Sequence, residues 1–462
     1  MKKLLIKNGN IVNSGKIEKA DILIENDKIK EIGENLTLKE GEIIDAKGNY
    51  ILPGIIDSHV HFQLPVKGTI TADDFYTGTK AAVCGGVTTI IDFAHPENKS
   101  ESLLEAIEKR KAEAEKNMCV DYSLHATIIS SNDTILKEIP KLIDSGITSF
   151  KLYMTYREEG IMVDDADLYF IMRTLAKFDG LPVVHAENNS LIEKLRIKYL
   201  NLGKTRAIYH AISRPNFAED EAIRRIIYLA GITNCPLFIF HLSTKEGLSS
   251  FTNAKKKGKN VWAETCPHYL LLNENRLRGK DGNLFIMSPP LRTNEDKNAL
   301  WHGLKRSDIS VISTDHCSFN LQQKSASDFS KVPSGLPGVE TLLPLIYTHG
   351  VLKKRITINN LVEVLCENPA KIYGLYPGKG TVSTGSDADI VIFDPKLEVT
   401  INYKNLHMNV DWSPYQGWKL KGYPIYTILR GNIIYKYGKF YGEKRLGKFI
   451  PCNKSCLIKN KL

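Results

Sequence analysis

Six side chains that can bind metal ions or move protons stand at the ends of short apolar segments. They are His59, His61, Lys151, His185, His241 and Asp315. Singly, each has an ordinary structural explanation, as a satisfied polar residue, half of an ion pair or a helix cap. Together, they would have to be desolvated in a core without any gain in stability. Their recurrence at the same end of successive segments therefore indicates one functional site.

Imidazole and carboxylate groups are ligands for zinc, and also for manganese or iron. Four histidines and one aspartate exceed what a single tetrahedral ion needs, which favours two metals roughly 3.5–4 Å apart. Lys151 cannot ligate as an ammonium, but burial and nearby cations lower the pKa of a lysine. The neutral amine can add carbon dioxide, and both oxygens of the resulting carbamate could bridge two metals. Asp57 shares a strand face with the first two histidines and either orients an imidazole or simply accepts a hydrogen bond at the strand end.

The middle of the chain must position these groups, and it alternates apolar segments with helix-like ones. Buried parallel strands are continuous apolar runs of this length. Eight strands are predicted: Ile51–Asp57, Val87–Phe93, Val120–Thr127, Ile147–Leu152, Leu181–His185, Pro236–His241, Asn260–Glu264 and Ile309–Asp315. Eight strand–helix units predict a (β/α)8 TIM-like barrel, an α/β fold whose chemistry lies at the carboxyl ends of its strands. A doubly wound open sheet is the alternative.

The two ends of the chain have a different sequence pattern. Apolar and polar residues alternate there in short predicted strands that are separated by turns. Examples are "ADILIENDKIKEIG" near the start and "TILRGNIIYKYGKFYG" near the end. We expect a small β-sandwich domain built from both chain ends, residues 1–52 and 376–442, around a barrel at 53–375. A basic tail, 443–462, contains Lys444, Arg445, Lys448, Lys454, Lys459 and Lys461. A solvated terminus explains this tail better than a phosphate-binding arm.

Composition excludes several classes of function. The 462 residues carry a net charge of +10, but the 62 basic and 52 acidic residues are interspersed, unlike the concentrated charge of a nucleic-acid binder. No apolar run approaches the roughly 18 residues of a membrane span. Eight scattered cysteines indicate reduced thiols and a cytoplasmic protein rather than a disulfide framework. Phosphate-loop, dinucleotide and nucleophile-elbow motifs are missing from the sequence.

Motifs along nearly the whole chain resemble the hydantoinase/dihydropyrimidinase branch of the cyclic amidohydrolases. They include "GIIDSHVHF" (54–62), "SFKLYMTY" (149–156), "VVHAEN" (183–188), "FHLS" (240–243), "SPPLR" (288–292), "STDHC" (313–317) and "NPAKIYGLYPGKGTVSTGSDADIVIFDP" (368–395). The resemblance implies that His59, His61 and Asp315 bind one Zn²⁺ and that His185 and His241 bind a second. It implies a carboxylated Lys151 as the bridge, with Mn²⁺ or another divalent metal as a possible replacement. A homotetramer or homodimer is also implied.

The resemblance further assigns substrate contacts. Tyr156 polarises the substrate carbonyl, and Ser288 of "SPPLR" binds the amide edge of the ring. Where the family usually has Asn in a "PNG" loop, this chain has Ser334, which can replace Asn if the contact is made by the backbone. A side-chain contact would instead alter substrate preference. Around the site, Phe62, Leu64, Tyr153 and Met154 are expected to form an apolar wall beside the ring, while His95, His125, His268 and His316 have no assigned role.

The expected reaction is zinc-dependent hydrolysis of the cyclic amide bond of dihydropyrimidines or 5-substituted hydantoins to N-carbamoyl amino acids. A metal-bridging hydroxide would attack the ring carbonyl, with Tyr156 stabilising the oxyanion and Asp315 transferring the proton. The expected partner is a small cyclic ureide or amide. A dihydroorotase is disfavoured because Gln63 stands where that family has an arginine for the substrate carboxylate. An allantoinase is a further enzymatic alternative, and a metal-free scaffold would be expected to have lost ligands.

Overall fold

Five strands at the start of the chain begin a sheet that the end of the chain completes. The structure, a computed structural model, describes residues 2–458. The first strands are β1 (Lys3–Val12), β2 (Ile17–Glu25), β3 (Lys28–Gly33), β4 (Glu42–Asp45) and β5 (Tyr50–Pro53). β1 pairs antiparallel with β2 and parallel with β4 and β5. Alternate residues of these strands, such as Ile22 and Ile24 of β2, form an apolar core on one face of the sheet.

Eight parallel strands in the middle of the chain form the barrel. They are β6 (Ile55–Asp57), β9 (Val87–Ala94), β10 (Asp121–Thr127), β11 (Ser149–Tyr153), β12 (Leu181–His185), β13 (Leu237–Ile239), β14 (Val261–Thr265) and β15 (Val311–Ile312). Each pairs with the next in chain order, and a parallel bridge between Val60 and His316 joins the first strand region to the last. A small hairpin, β7 (Pro65–Val66) and β8 (Thr69–Ile70), follows β6. The predicted barrel fold is confirmed.

The predicted first strand, Ile51–Asp57, divides at Gly54. Tyr50–Pro53 belongs to the terminal sheet, whereas Ile55–Asp57 belongs to the barrel. The Gly54 N–H donates to Asp389 O in the terminal sheet, and the next N–H, of Ile55, donates to Gly86 O in the barrel. A Cβ on Gly54 would lie 2.0 Å from Thr88 Oγ1, so only glycine allows the two sheets to approach here.

The end of the chain contributes β16 (Ile390–Thr400), β17 (Lys419–Leu429), β18 (Asn432–Lys436) and β19 (Lys439–Phe440). β16 pairs antiparallel with β5, so strands from both ends form one continuous mixed sheet of nine strands. This pairing confirms that the second domain is built from both chain ends.

Thirteen α-helices in the described residues surround the strands, mostly on the outside of the barrel. They are α1 (Phe75–Cys84), α2 (Leu103–Glu115), α3 (Asp133–Asp144), α4 (Asp165–Phe178), α5 (Asn189–Asn201), α6 (Ile208–Ile212), α7 (Asn216–Thr233), α8 (Lys245–Lys256), α9 (Pro267–Leu271), α10 (Asn294–Lys305), α11 (Leu342–Ile346), α12 (Ile358–Val362) and α13 (Asn368–Ile372). Short 3₁₀ turns cover Glu274–Arg278, Gly282–Phe285, Val339–Thr341 and Tyr403–Asn405, and π-helical turns at Tyr347–Val351 and Glu363–Glu367 continue α11 and α12. Many helices begin at a side-chain cap, such as Asp164 for α4 and Thr293 for α10, which satisfies a free backbone N–H.

None of the helices within residues 2–458 has both the length and the apolar character to span a bilayer.

The basic tail is more ordered than a free terminus. Its backbone follows the amino-terminal end of β10: Tyr122 N–H donates to Lys448 O, and Ile450 N–H donates to Tyr122 O. The side chains of Lys444, Arg445, Lys448 and Lys454 are exposed. The tail up to residue 458 is thus bound to the barrel through its backbone, and its Lys and Arg side chains face solvent. Lys459 and Lys461 lie outside the described residues.

Candidate active site

The strand ends bring the six predicted metal-site residues to one mouth of the barrel. His59 and His61 follow β6, Lys151 lies within β11, His185 ends β12, and His241 and Asp315 follow β13 and β15. The ligand atoms of His59, His61 and Asp315 all lie within 4.8 Å of one another. The ring centroids of His185 and His241 are 4.5 Å apart, and those of His59 and His241 are 5.5 Å apart. Side chains distant in sequence therefore form one continuous cluster.

Burial controls the charge of this cluster. It lowers the pKa values of His59 and His241 far below the usual range, and nearby positive groups, including Lys151, lower them further. The imidazoles are consequently neutral, which is the form that binds a metal. Burial also brings the pKa of Lys151 to about 7, although Asp315 and Glu264 oppose this shift. A large fraction of Lys151 is then the uncharged amine near neutral pH.

The cluster has the donor set that a divalent cation requires. Three buried nitrogens have no hydrogen-bond partner among the described residues: His59 Nε2, His61 Nδ1 and His241 Nδ1. Buried polar atoms without partners are rare in folded proteins, because each carries a desolvation penalty. Asp315 Oδ1 lies 3.1 Å from Nε2 of both His59 and His61, and of these two contacts the one with His61 has the geometry of a hydrogen bond. His59, His61 and Asp315 can therefore hold a divalent metal.

Three residues at this mouth of the barrel have a strained backbone conformation. Tyr156, His241 and Asp315 have φ angles of 71°, 37° and 48°. Non-glycine residues in this left-handed region cost of order 1–3 kcal/mol each, and such residues cluster at functional sites.

Glu264 of β14 supports the cluster and has no role in the sequence prediction. A short hydrogen bond joins its Oε1 to His59 Nδ1, and its other oxygen accepts from Ser313 Oγ at 2.6 Å. The Glu264 carboxyl group therefore fixes the orientation of the His59 ring. Its position ends the predicted seventh strand, the same signal that marks the other site residues.

Asp57, the residue that the sequence offers for orienting an imidazole, has different partners. Its oxygens accept hydrogen bonds from the backbone N–H and the hydroxyl of Thr314, at 3.0 and 2.5 Å. The strand ends at Asp57, so the alternation of faces does not continue to the histidines. The strand-end acceptor role is thus the one that the structure shows.

A second unassigned carboxylate, Glu187, follows the ligand candidate His185. Its Oε2 lies 2.8 Å from His185 Nε2 and 2.5 Å from Arg214 Nη1. Burial alone would raise the pKa of Glu187, but Arg214 and His185 outweigh it and bring the pKa to about 2. Glu187 is therefore a carboxylate that holds the His185 ring, and its place in the "VVHAEN" motif is the sequence signal.

The three predicted substrate contacts lie on one side of the cluster. The Tyr156 ring centroid is 5.1 Å from that of His185. Ser288 Oγ lies 3.4 Å from Ser334 Oγ and 3.3 Å from Nε2 of His210, a residue without a predicted role. His210 Nε2 also bonds Met287 O at 2.8 Å, so this imidazole supports the segment that carries Ser288. A cavity of about 50 Å³ includes Tyr156, His210 and Ser334 in its lining.

The expected apolar wall does not line this cavity. Phe62 is fully buried beside His316, with ring centroids 5.3 Å apart, because the space next to it is closed by α1. Leu64, Tyr153 and Met154 are also outside the lining, although the Tyr153 ring contacts Tyr156 from the side. The walls of the cavity are mostly polar instead.

Of the four histidines without a predicted role, His125 and His316 have structural partners. His316 Nε2 lies 3.1 Å from Asp73 Oδ2, away from the cluster. His125 bonds Ser149 Oγ and Ser58 O at 2.6 and 3.0 Å. His95 and His268 are largely enclosed, and each has an unpartnered Nε2 within the described residues.

Comparison with known proteins shows similarity over nearly the whole chain. The model of the Amidohydrolase family matches residues 50–434. The D-phenylhydantoinase of Escherichia coli strain SE11 is 41% identical over 453 residues, covering 97% of this chain and 98% of that protein. The D-hydantoinase of Geobacillus stearothermophilus is 40% identical over 452 residues, covering 96% of each. The crystal structure of dihydropyrimidinase from Brevibacillus agri NCHU1002 superposes with a TM-score of 0.96 at 37% identity, covering 98% of this chain and 99% of that one.

The barrel, the convergent strand-end residues and these full-length similarities agree with one another. The chain therefore belongs to the amidohydrolase family and is a hydrolase of the hydantoinase/dihydropyrimidinase type.

Proposed function

We propose that the protein hydrolyses the cyclic amide bond of dihydropyrimidines or 5-substituted hydantoins and releases N-carbamoyl amino acids. The observation that carries this proposal is the convergence of His59, His61, Asp315, His185 and His241 beside Tyr156 at one mouth of the barrel. Relatives that match nearly the whole chain are named for the hydrolysis of these rings.

The proposed cofactor is a pair of Zn²⁺ ions. His59, His61 and Asp315 would hold one ion, His185 and His241 the other, and an N6-carboxylated Lys151 would lie between them. The neutral imidazoles and the pKa of about 7 for Lys151 support this assignment, because an uncharged amine is the form that adds carbon dioxide. When bound, two such cations lower the pKa of a shared water and polarise a carbonyl oxygen.

The protein's own side chains would supply the remaining steps. The hydroxyl of Tyr156 donates a hydrogen bond to the oxygen that becomes negative in the transition state. Burial raises the pKa of Tyr156 well above its usual value, so the hydroxyl keeps its proton. Asp315 accepts the proton of the attacking water and returns it to the ring nitrogen as the C–N bond breaks. Ser288 and Ser334 hold the amide edge of the ring in position.

A substrate panel with metal-loaded protein tests this function. The panel contains dihydrouracil, hydantoin, 5-substituted hydantoins, allantoin and dihydroorotate, each followed by loss of ultraviolet absorbance. We expect turnover of dihydrouracil or of hydantoins that exhaustive chelation abolishes and added zinc restores. Full activity after chelation, or turnover confined to allantoin or dihydroorotate, would overturn the proposal.

Two broader properties belong to the same proposal. All eight cysteines are free thiols and seven of them are buried, which supports a reducing compartment such as the cytoplasm. We also propose a homotetramer or homodimer, which light scattering on the purified protein would measure directly.

A further inference from the structure

The cavity that begins at Tyr156 and Ser334 leads outward to the protein surface and is unusually charged. Six of its lining residues are Lys, Arg or Glu: Lys67, Glu158, Glu159, Glu193, Arg196 and Arg214. The aliphatic and phenyl side chains in the lining are Ile192 and Phe329. Tyr156 and Ser334 are proposed to hold the ring, and the charged space beside them is open to a substituent on that ring.

Most of these charges already have partners. Arg196 forms an ion pair with Glu158, Arg214 Nη1 lies 2.5 Å from Glu187, and Glu193 lies 3.7 Å from Arg157. In each pair the two opposite charges compensate each other, so these side chains do not require a charged group on the substrate.

Two lining groups remain without an opposite charge at ion-pair distance. Glu159 has no hydrogen bond or ion pair within residues 2–458 and is exposed. Lys67 Nζ is bound only to backbone carbonyls, Ser330 O at 2.9 Å and Val332 O at 3.5 Å. Both carbonyls belong to the loop that contains Ser334 and precede that residue. The cavity thus offers a strong acceptor and a strong donor close to the proposed position of the ring.

An apolar substituent would be poorly matched to these two groups. It would displace water from Glu159 and Lys67 without replacing the lost hydrogen bonds, which costs free energy. A carboxylate substituent would suit Lys67 but repel Glu159, and an ammonium substituent would do the reverse. A neutral group with both N–H donors and a carbonyl acceptor satisfies both residues at once.

On this basis, and resting on the proposed function, we propose that the protein prefers hydantoins whose 5-substituent ends in a neutral carboxamide group. Glu159 accepts a hydrogen bond from the N–H of the substituent, and Lys67 donates one to its carbonyl oxygen. These two residues, which touch the substituent and not the reacting atoms, determine the specificity of the site.

Matched substrates test the preference. 5-(Carbamoylmethyl)hydantoin and 5-isobutylhydantoin have substituents with the same number of non-hydrogen atoms, but the first is polar and the second is apolar. Unsubstituted hydantoin reports basal activity. With zinc-loaded protein we expect kcat/KM for the carbamoylmethyl substrate to exceed that for the isobutyl substrate by about tenfold, the effect of a net hydrogen bond near 1.4 kcal/mol. The carboxymethyl substrate should be worse than the carbamoylmethyl one.

Variants identify the residues responsible. Glu159→Leu and Lys67→Met should each bring the ratio of the two kcat/KM values close to one. The ratio is the readout because it cancels an effect on the Ser334 loop that is common to both substrates, such as loss of the Lys67 hydrogen bonds. Glu159→Gln, which keeps an acceptor, should retain part of the preference. Glu158→Gln is the matched control, because its carboxylate is already engaged by Arg196, and it should leave the ratio as in the wild type.

The outcomes separate this inference from the proposed function. A wild-type preference for the isobutyl substrate, or a ratio unchanged in both Glu159→Leu and Lys67→Met, overturns the specificity inference while hydantoin is still hydrolysed. Failure of the zinc-loaded wild type to hydrolyse hydantoin and dihydrouracil overturns the proposed function itself.

Discussion

Asp315 has two proposed roles, metal binding and proton transfer, that a single substitution can separate. Its Oδ1 lies 3.1 Å from His59 Nε2 and from His61 Nε2, so the residue is placed to bind a metal and to accept a proton. Asp315→Asn keeps an oxygen ligand but removes the basic carboxylate. We expect zinc content close to that of the wild type and a decrease in kcat of about 10²–10⁴-fold. Metal analysis and a spectrophotometric assay on the same preparation check this, and near-normal turnover would exclude Asp315 from proton transfer.

Glu264 and Asp57 offer a matched pair of buried carboxyl groups with different partners. Because Glu264 holds His59 Nδ1, Glu264→Gln should weaken zinc affinity about 10–100-fold in a competition with a chromophoric chelator. Asp57→Asn should leave zinc affinity unchanged and lower the free energy of unfolding by about 1–3 kcal/mol, because Asp57 binds Thr314. The reverse pattern would make Asp57 the residue that orients the metal site.

The strand-end pattern predicts which side chains meet but not how they are supported. The six predicted metal-site residues can be identified from the residue types that end the apolar segments. This is possible because the parallel strands of a barrel all end at one mouth. The partners of these residues depend on geometry beyond that pattern. Glu187, for example, is held by Arg214, which lies on the loop before α7, and no periodicity in the sequence relates the two.

The loop after β15 is the element that carries Ser334 to the cavity. Gly335 has a φ of 153°, its N–H donates to Ile286 O at 3.0 Å, and Lys324 Nζ donates to the same carbonyl at 2.7 Å. These bonds attach the loop to the segment that contains Ser288. The loop has no hydrophobic period, so the sequence predicts the strand before it but not its path.

A substitution at Gly335 should move this loop. A Cβ at Gly335 would lie 2.3 Å from Cys317 O, so Gly335→Ala must shift the backbone beside Ser334. We expect kcat/KM to decrease by about 10²-fold, because a displacement near 1 Å misaligns the substrate, while zinc content is retained. Gly338→Ala is the control in the same loop, since its Cβ would be 3.8 Å from the nearest atom, and it should keep wild-type kinetics. Equal kinetics for both variants would show that the loop does not position the substrate.

At the scale of the whole molecule, a buried cluster of charged side chains joins the barrel to the terminal sheet and to the basic tail. Asp121, the first residue of β10, accepts from Lys379 Nζ at 2.8 Å, from Arg430 and from the Lys448 N–H of the tail at 3.0 Å. Lys379 Nζ also donates to Asp389 at 2.6 Å. The sequence predicts a domain built from both ends, yet it could not indicate this cluster, whose members are scattered and whose tail segment has no strand-like pattern.

Removing the shared carboxylate should destabilise the whole molecule without altering the site. Asp121→Asn leaves Lys379 and Arg430 buried with too little negative charge, and we expect the free energy of unfolding to fall by about 3–5 kcal/mol in urea denaturation. Asp387→Asn, at 3.2 Å from Lys379 and more exposed, should cost much less. The double variant Asp121→Asn/Lys379→Met should recover part of the loss, and kcat of the folded protein should stay unchanged, since the cluster lies at the opposite end of the strands.

The same cluster sets how stability depends on alkaline pH. Burial alone would lower the pKa of Lys379, but Asp389 and Asp387 outweigh it, so the pKa in the folded state lies above the usual lysine value. A group with a raised folded pKa stabilises the protein fully below its unfolded pKa, about 10.4 for lysine, and loses that contribution as pH rises through the folded value. We therefore expect the contribution of Lys379 to be constant across neutral pH and to disappear only in strong alkali. Denaturation curves of the wild type and Lys379→Met over a pH series measure it; a difference between the two proteins that already shrinks between neutral pH and the unfolded pKa would mean that the acidic neighbours do not hold the charge on Lys379.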